Sequence, residues 1–183
     1  MHPTPENHPL KRLFTGLVED AFYTQLGVCD PKLVDYLADL LVSFVHIDGI
    51  DHLRDAHGNR LDQIGLILSD SLDGESSCQF PREFSIHRHI GDYALFWTGL
   101  YPERLRMARR PTWRDGVCDY VAQGKRSYQI ASDLGDDGSV PPSALLHRLS
   151  DEFEACVHGL GLVRKGWEHE EEHDRGEPGN LLY

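Results

Sequence analysis

The sequence predicts an all-α protein, a single bundle of six to seven helices around a central buried helix at about residues 82–101. Three observations predict this fold class. Apolar residues recur at helical spacing along most of the chain. No alternating strand pattern is sustained, and no period of 20–50 residues repeats. The length of 183 residues fits one domain of ordinary size.

The first two helices are recognisable by their apolar residues and by the residues at their ends. Residues 1–9 contain three prolines and are predicted to form a flexible arm. An apolar series over 10–22 predicts a helix that ends at Gly27. Asp30 stands before a proline, which is typical of an N-cap and a first helical position. The next apolar series covers 33–44 and predicts the second helix.

The middle of the chain alternates between polar and apolar segments. Residues 48–60 are polar and are predicted to form a loop, whereas 61–72 are predicted to be helical and 73–79 to form a turn. The helix at 82–101 follows, and Pro102 ends it. Residues 103–109 are predicted to form a short basic helix.

The last third of the chain contains two more predicted helices, at 116–134 and 143–163, joined by an exposed loop at 135–142. Gly161 or Gly166 is expected to end the last helix. The helical domain is therefore predicted to cover 10–165. Residues 166–183 are rich in acidic side chains and are predicted to be a disordered tail.

Composition excludes several classes of function. The formal net charge of −12 argues against a nucleic-acid surface or an anionic membrane surface, because both need a basic face. No apolar run reaches the length of about 18 residues that a membrane span needs, and the N-terminus lacks the apolar segment of a secretory signal. The four cysteines form no C-x-x-C pair. We therefore expect reduced thiols in a cytoplasmic protein.

The central helix carries one carboxylate among apolar residues. On a helical wheel, Asp92 lies between Leu95 and Phe96, so we expect it to be buried and to need a partner. Arg88, one turn earlier, is the nearest candidate partner, His89 is the next, and a residue of another helix is equally consistent. A structural pair that fixes the register of the helices is the favoured interpretation. A tuned acid or a metal ligand is the alternative.

The helix at 116–134 places further polar groups near the core. Tyr120 and Tyr128 share its broad apolar face, so their hydroxyls are placed to bond Asp92 or Glu103. Ordinary amphipathic packing explains the same face, and the helix dipole explains Glu103. The candidate polar pocket consists of Arg88, His89, Asp92, Glu103, Tyr120, Ser127 and Tyr128.

Two blocks of the sequence carry a resemblance. The first is G-D-x-x-L-F-x-x-G-x-x-P-E, from Gly91 to Glu103, and the second is D-Y-x-x-x-G-x-x-S-Y, from Asp119 to Tyr128. Together they resemble a family of uncharacterised bacterial all-helical proteins. The resemblance implies a helical domain in which the two blocks pack together. It implies no activity, cofactor or catalytic residue.

Two groups of histidines and acids are considered as metal sites. The first lies in and beside the loop after the second helix, where functional groups are common, but it matches neither H-E-x-x-H nor an EF-hand. Its weak candidates are His46, Asp48, His52 and His57. Caps and turn residues are the alternative interpretation for the acids. The second is a stripe opposite the apolar side of the last helix, so we expect it to face solvent. It contains His147, Asp151, Glu154 and His158.

No motif in the sequence indicates a specific chemistry. The chain lacks G-x-S-x-G, a Walker A loop and G-x-G-x-x-G, so we expect no cofactor. The sequence therefore favours a non-catalytic helical protein that acts by binding a protein partner or by self-association. The alternative is a small-molecule or metal-dependent helical enzyme that uses the pocket around Asp92 or the loop between His46 and His57.

Overall fold

The computed structural model describes residues 9–47, 79–107, 116–135 and 138–176, and the regular elements in these ranges are helices. The predicted all-α class is confirmed for this part of the chain. The predicted loop at 48–60, the predicted helix at 61–72 and residues 73–78 of the predicted turn lie outside the described residues, as do 1–8 of the predicted arm. Gln79 of that turn and Pro9 of the arm are instead the first residues of helices. The α-helices of the described ranges are α1 (Pro9–Glu19), α2 (Pro31–Ile47), α3 (Gln79–Leu100), α4 (Pro102–Met107), α5 (Gly116–Leu134), α6 (Ser143–Asp151) and α7 (Phe153–Gly176).

The predicted helix ends of the N-terminal hairpin are confirmed. α1 continues into a π-helical turn, Asp20–Gln25. The chain then turns at Gly27, whose φ of 69° is the left-handed conformation that glycine adopts most readily. Asp30 caps α2, because its Oδ1 accepts hydrogen bonds from the backbone N–H groups of Lys32 at 2.9 Å and Leu33 at 3.3 Å.

α3 packs against α2, α4, α5 and α7. Its residues 90–92, 94–96 and 98–100 are buried. α3 and α5 run in opposite directions, because Gly91 lies against Tyr128 whereas Ala94 lies against Gly124. A Cβ atom at Gly91 would stand 2.6 Å from the ring of Tyr128. Glycine therefore lets the two backbones approach closely enough to bring α5 side chains next to Asp92.

The prediction of one continuous helix at 143–163 is wrong, because the helix is interrupted at Glu152 (φ −99°, ψ 22°). Buried side chains flank the break, Leu149 at the end of α6 and Phe153 at the start of α7. The hydroxyl of Ser150 donates to the backbone carbonyl of Lys125 at 2.9 Å, which ties the end of α6 to α5. α6 packs mainly on α5, whereas α7 packs mainly on α3 among the described helices. No glycine or proline marks the interruption between them.

The predicted end of the last helix at Gly161 or Gly166 is also wrong, because α7 continues to Gly176. Residues 166–176 of the predicted disordered tail are thus helical, and 177–183 lie outside the described residues. A Cβ atom at Gly166 would stand 3.1 Å from Leu17. Trp167 packs edge-on against Phe14, with centroids 5.2 Å apart. This contact with α1 holds α7 past the glycine, which costs a helix only about 1 kcal/mol.

Within the ranges that the structure describes, none of the helices combines the length and the apolar character that crossing a bilayer requires.

Candidate functional site

Asp92 lies on α3 in the interior of the bundle, as the sequence predicts, with 5% of its surface exposed. Its Oδ1 accepts two hydrogen bonds. Tyr36 of α2 donates one at 2.5 Å, and Tyr128 of α5 donates the other at 2.8 Å. A single carboxylate oxygen therefore joins three helices. Because both bonds run to a charged acceptor, each is stronger than a neutral hydrogen bond.

The second oxygen of Asp92 faces Arg88. The Arg88 Nε atom lies 3.9 Å from Oδ2, which makes an ion pair without a direct hydrogen bond. That Nε atom is buried and has no hydrogen-bond partner among the described residues. Another nitrogen of the guanidinium group donates to the backbone carbonyl of Val140 at 3.2 Å. Arg88 therefore links the Asp92 site to the loop before α6.

Burial is the main electrostatic influence on this site. It raises the pKa of Asp92 above the ordinary value of an aspartate, although the tyrosine hydroxyls, Arg88 and His89 each favour the charged form. Burial and the adjacent carboxylate also raise the pKa of both Tyr36 and Tyr128 well above 10. Both tyrosines are therefore neutral donors at physiological pH.

His89 takes a different position from the one predicted, because no hydrogen bond joins it to Asp92 among the described contacts. Its ring stacks on Phe44 of α2, with centroids 6.0 Å apart and an angle of 13° between the planes. Burial lowers the pKa of His89, and Asp92 opposes that shift. The imidazole therefore lies at the contact between α2 and α3, beside the carboxylate.

Three members of the predicted pocket have their described contacts elsewhere. Tyr120 packs against Tyr93, with centroids 6.3 Å apart. Ser127 is buried and accepts a hydrogen bond from Gln123 at 3.2 Å. Glu103 pairs with Arg164 of α7 at 2.6 Å.

The antiparallel packing of α3 and α5 explains this separation. Tyr120 precedes Tyr128 by two turns of α5, or about 12 Å along the axis, and so lies nearer the other end of α3. Glu103 follows Asp92 by about three turns of helix. The structure therefore brings together Arg88, Asp92 and Tyr128 of the predicted set, with His89 beside them but not hydrogen-bonded to Asp92 among the described contacts.

Tyr36 is the partner of Asp92 that sequence reasoning did not name. Its signal is its spacing, because it lies three residues after Leu33 and four before Leu40, on the apolar stripe of α2. A tyrosine on such a stripe brings its hydroxyl to the edge of the core, where a buried carboxylate is a suitable acceptor.

A second cluster of functional interest consists of aromatic rings at the C-terminal end of α3. Tyr93, Trp97 and Tyr101 are half-buried and in mutual contact, with consecutive centroids 6.0 and 5.8 Å apart. The exposed Arg104 of α4 places its guanidinium group 5.8 Å from the centre of Trp97 and 5.2 Å from that of Tyr101. We call these four residues the aromatic surface.

The rings of the aromatic surface are held from within the bundle. Phe96 contacts both Trp97, edge-on at 5.5 Å, and Tyr101 at 5.9 Å. Arg164 of α7 lies 5.2 Å from the centre of Tyr101 and donates to the backbone carbonyl of Leu100 at 2.6 Å. These contacts with α3 and α7 hold the rings of Trp97 and Tyr101 in place.

No protein-family model, curated protein or solved structure matches the chain. The resemblance of its two sequence blocks to a bacterial family thus stays a prediction. In the structure the blocks do lie against each other, through Gly91 and Tyr128.

The two histidine groups have different outcomes. The side chain of His46 and the residues Asp48, His52 and His57 lie outside the described part of the chain. The four residues of the stripe on α6 and α7 are exposed, as predicted. Within the stripe His147 pairs with Asp151 at 3.0 Å, and Glu154 pairs with Lys125 at 2.9 Å.

Proposed function

We propose that this protein is a non-catalytic helical protein that acts by binding a protein partner or by associating with a second copy, and that the aromatic surface is its contact site. The observation that carries the proposal is the row of Tyr93, Trp97 and Tyr101 with the exposed Arg104 lying across it.

The composition of the aromatic surface supports this proposal. Tyrosine, tryptophan and arginine are the residues most enriched at protein interfaces and among the side chains that dominate binding energy. Their rings already contact one another and the buried Phe96, so binding would order few additional rotamers. A surface that is ordered in advance loses less entropy on association.

The contacts of Asp92 support the non-catalytic part of the proposal. Both of its tyrosine neighbours donate to the same oxygen, and these donors come from two other helices. This arrangement fits a carboxylate that joins α2, α3 and α5. The two hydrogen bonds to Oδ1 agree with the general behaviour of buried side-chain oxygens, most of which have at least one hydrogen-bond partner.

A matched pair of charge deletions tests the proposal. Arg104 and Lys165 are both exposed cations, but only Arg104 belongs to the aromatic surface. Self-association is measured by sedimentation velocity over a range of concentrations, and partner binding by quantitative affinity purification from the source cells. We expect Arg104→Ala to weaken the association by about thirtyfold or more, because truncation of an interface hot spot costs about 2 kcal/mol or more. Lys165→Ala should leave it unchanged.

Two results would contradict the proposal. One is a wild-type protein that stays monomeric at every concentration and retains no partner. The other is an association that Arg104→Ala and Lys165→Ala affect equally.

A small-molecule enzyme is the second candidate, and one observation favours it. Asp92 is a buried acid with a raised pKa beside a cation, and such groups are common in active sites. The test is a metabolite screen by thermal shift with the wild type and Asp92→Asn. Ligands that stabilise only the wild type support an Asp92-centred site, and stabilisation of both proteins argues against one. A metal at the loop between His46 and His57 is tested by elemental analysis.

A further inference from the structure

The guanidinium group of Arg104 is the charged part of the aromatic surface, and this side chain is exposed. The group lies 5.8 Å from the centre of the Trp97 ring and 5.2 Å from that of Tyr101. The N–H donors of a guanidinium group point outward at the edge of its plane. Contact with a ring through the face of the group therefore leaves these donors open to a hydrogen-bond acceptor.

The positive charge of Arg104 is not matched within the described part of the chain. Among the residues that the structure describes, its guanidinium group forms neither an ion pair nor a hydrogen bond. The adjacent carboxylate of Glu103 pairs instead with Arg164 of α7, at 2.6 Å. Covering an unpaired charge in an interface is costly unless the partner supplies the opposite charge. What the aromatic surface needs from a partner is therefore an anionic acceptor.

We infer that the aromatic surface binds a short segment of a different protein, in which a carboxylate lies beside an apolar side chain. The inference rests on the proposed function and specifies the chemistry of the partner. The carboxylate of an aspartate or glutamate accepts hydrogen bonds from Arg104, whose planar group suits a pair of parallel bonds. The apolar side chain packs on the ring of Trp97 or Tyr101.

The length of the aromatic surface favours an extended segment. Tyr93 of α3 and Tyr101, directly after α3, are separated by about 12 Å along the helix axis. An extended chain advances about 3.3 Å per residue, so about four residues cover this length. A helix this short is not stable alone. Because alternate side chains of an extended chain lie on the same face, we expect the carboxylate and the apolar side chain two positions apart.

A second copy of the chain fits the aromatic surface less well than a different protein does. In a twofold dimer the same surface meets itself. Two Arg104 groups would then face each other, and the nearest acid, Glu103, is already paired with Arg164. The net charge of −12 on each copy adds a long-range repulsion. The same net charge disfavours a strongly acidic partner, so we expect a single carboxylate rather than an acidic run.

A phage-displayed library of random seven-residue peptides tests the inference, with the full-length chain as the target. We expect the peptides enriched on the wild type to contain one aspartate or glutamate two positions from an apolar residue. An enriched peptide should bind Arg104→Met about ten- to a hundredfold more weakly, the range for a hydrogen bond to a charged group. Methionine keeps an apolar stem of similar length, so the change removes chiefly the charge and its donors.

Arg126→Met is the matched control. Arg126 is also an exposed arginine, it lies on α5, and no ring contact is described for it. We expect this variant to bind the enriched peptides as the wild type does. Both variants should keep the urea midpoint and the far-ultraviolet circular dichroism of the wild type, because both positions are exposed.

A double-mutant cycle isolates the contact between Arg104 and the carboxylate. The acid of the best peptide is replaced by its amide. The amide peptide should bind the wild type about ten- to a hundredfold more weakly than the acid peptide, and the two peptides should bind Arg104→Met equally. The net negative charge of the chain acts on the acid in both proteins, so the cycle cancels that effect.

Three results would overturn the inference. They are a selection that enriches no peptide or peptides without an excess of acids, an equal cost of the amide in both proteins, and a homodimer that Arg104→Met dissociates. The proposed function survives any of these results if Arg104→Ala still weakens the association measured by sedimentation or affinity purification. It fails separately if the wild-type chain shows no association at all.

Discussion

Removing the hydroxyl of Tyr128 tests the structural role of Asp92 with a small change to the core. The Tyr128 side chain is fully buried and its ring lies against Gly91. Tyr128→Phe keeps that ring, so the apolar area buried on folding stays the same. The lost interaction is one hydrogen bond to a charged acceptor, which contributes about 1.5–3 kcal/mol. Because Tyr36 still donates to the same oxygen, Asp92 keeps one partner.

We expect Tyr128→Phe to lower the free energy of unfolding by about 1.5–3 kcal/mol. The assay is urea unfolding followed by far-ultraviolet circular dichroism, with an unchanged slope as the sign that two-state behaviour is kept. Tyr23→Phe is the control, because this half-buried tyrosine of the π-helical turn lies outside the Asp92 site. We expect it to unfold at the wild-type urea concentration.

A double-mutant cycle shows whether the charge of Asp92 accounts for the strength of its hydrogen bond with Tyr128. In the Asp92→Asn background the acceptor is neutral, and a neutral hydrogen bond contributes about 0.5–1.5 kcal/mol. The cost of Tyr128→Phe should then fall by about 1 kcal/mol, the difference between the two ranges. If Tyr128→Phe costs the same in both backgrounds, or no more than Tyr23→Phe in the wild type, the reasoning is refuted.

Three further predictions concern packing, thiol reactivity and alkaline stability. A Cβ atom at Gly124 would stand 2.5 Å from a buried phenylalanine ring. Gly124→Ala should therefore lower the free energy of unfolding by up to about 2 kcal/mol, even after its gain in helix propensity. A Cβ atom at Gly16 meets no atom within 4 Å, so Gly16→Ala should raise the free energy of unfolding by about 1 kcal/mol in the same urea assay. Burial raises the pKa of Cys156 to about 12, so peptide mapping after alkylation at pH 8 should find the exposed Cys29 labelled and Cys156 unlabelled; labelling of both in the folded protein would contradict this. Burial raises the pKa of Tyr128 well above 10, so its contribution to stability is present below pH 10 and is lost as the pH rises through the raised value. The difference in absorbance at 295 nm between the wild type and Tyr128→Phe should appear only as helicity falls; a difference that appears reversibly while the helices are intact would oppose this.

The fold was predictable to the extent that its signals are local. The capped start of α2 at Asp30 and the turn at Gly27 follow from short-range chemistry that the sequence displays. The break at Glu152 and the continuation of α7 past Gly166 have no such signal. The continuation depends on contacts with another helix, such as that of Trp167 with Phe14, which override local preference.

The part of the candidate site that depends on the pattern of a single helix was also predictable. The wheel of α3 places Asp92 in the interior, and Tyr128 follows from the apolar face of α5. The choice between Tyr120 and Tyr128 depends on the direction and register of α5 relative to α3, which no local pattern specifies. Tyr36 lies 56 positions before Asp92 in the chain, so naming it requires knowledge of how α2 docks.

Site-specific photocrosslinking in living cells tests most directly whether the aromatic surface is the contact site. A photoreactive phenylalanine derivative replaces Tyr101 in one variant of the chain and Val140 in a second, control variant. Val140 is 81% exposed and its carbonyl contacts Arg88, about 20 Å along α3 from Tyr101. We predict a crosslinked product of defined mass, a dimer or one partner, from position 101 alone. No product from position 101, or the same products from both positions, would contradict the proposed function.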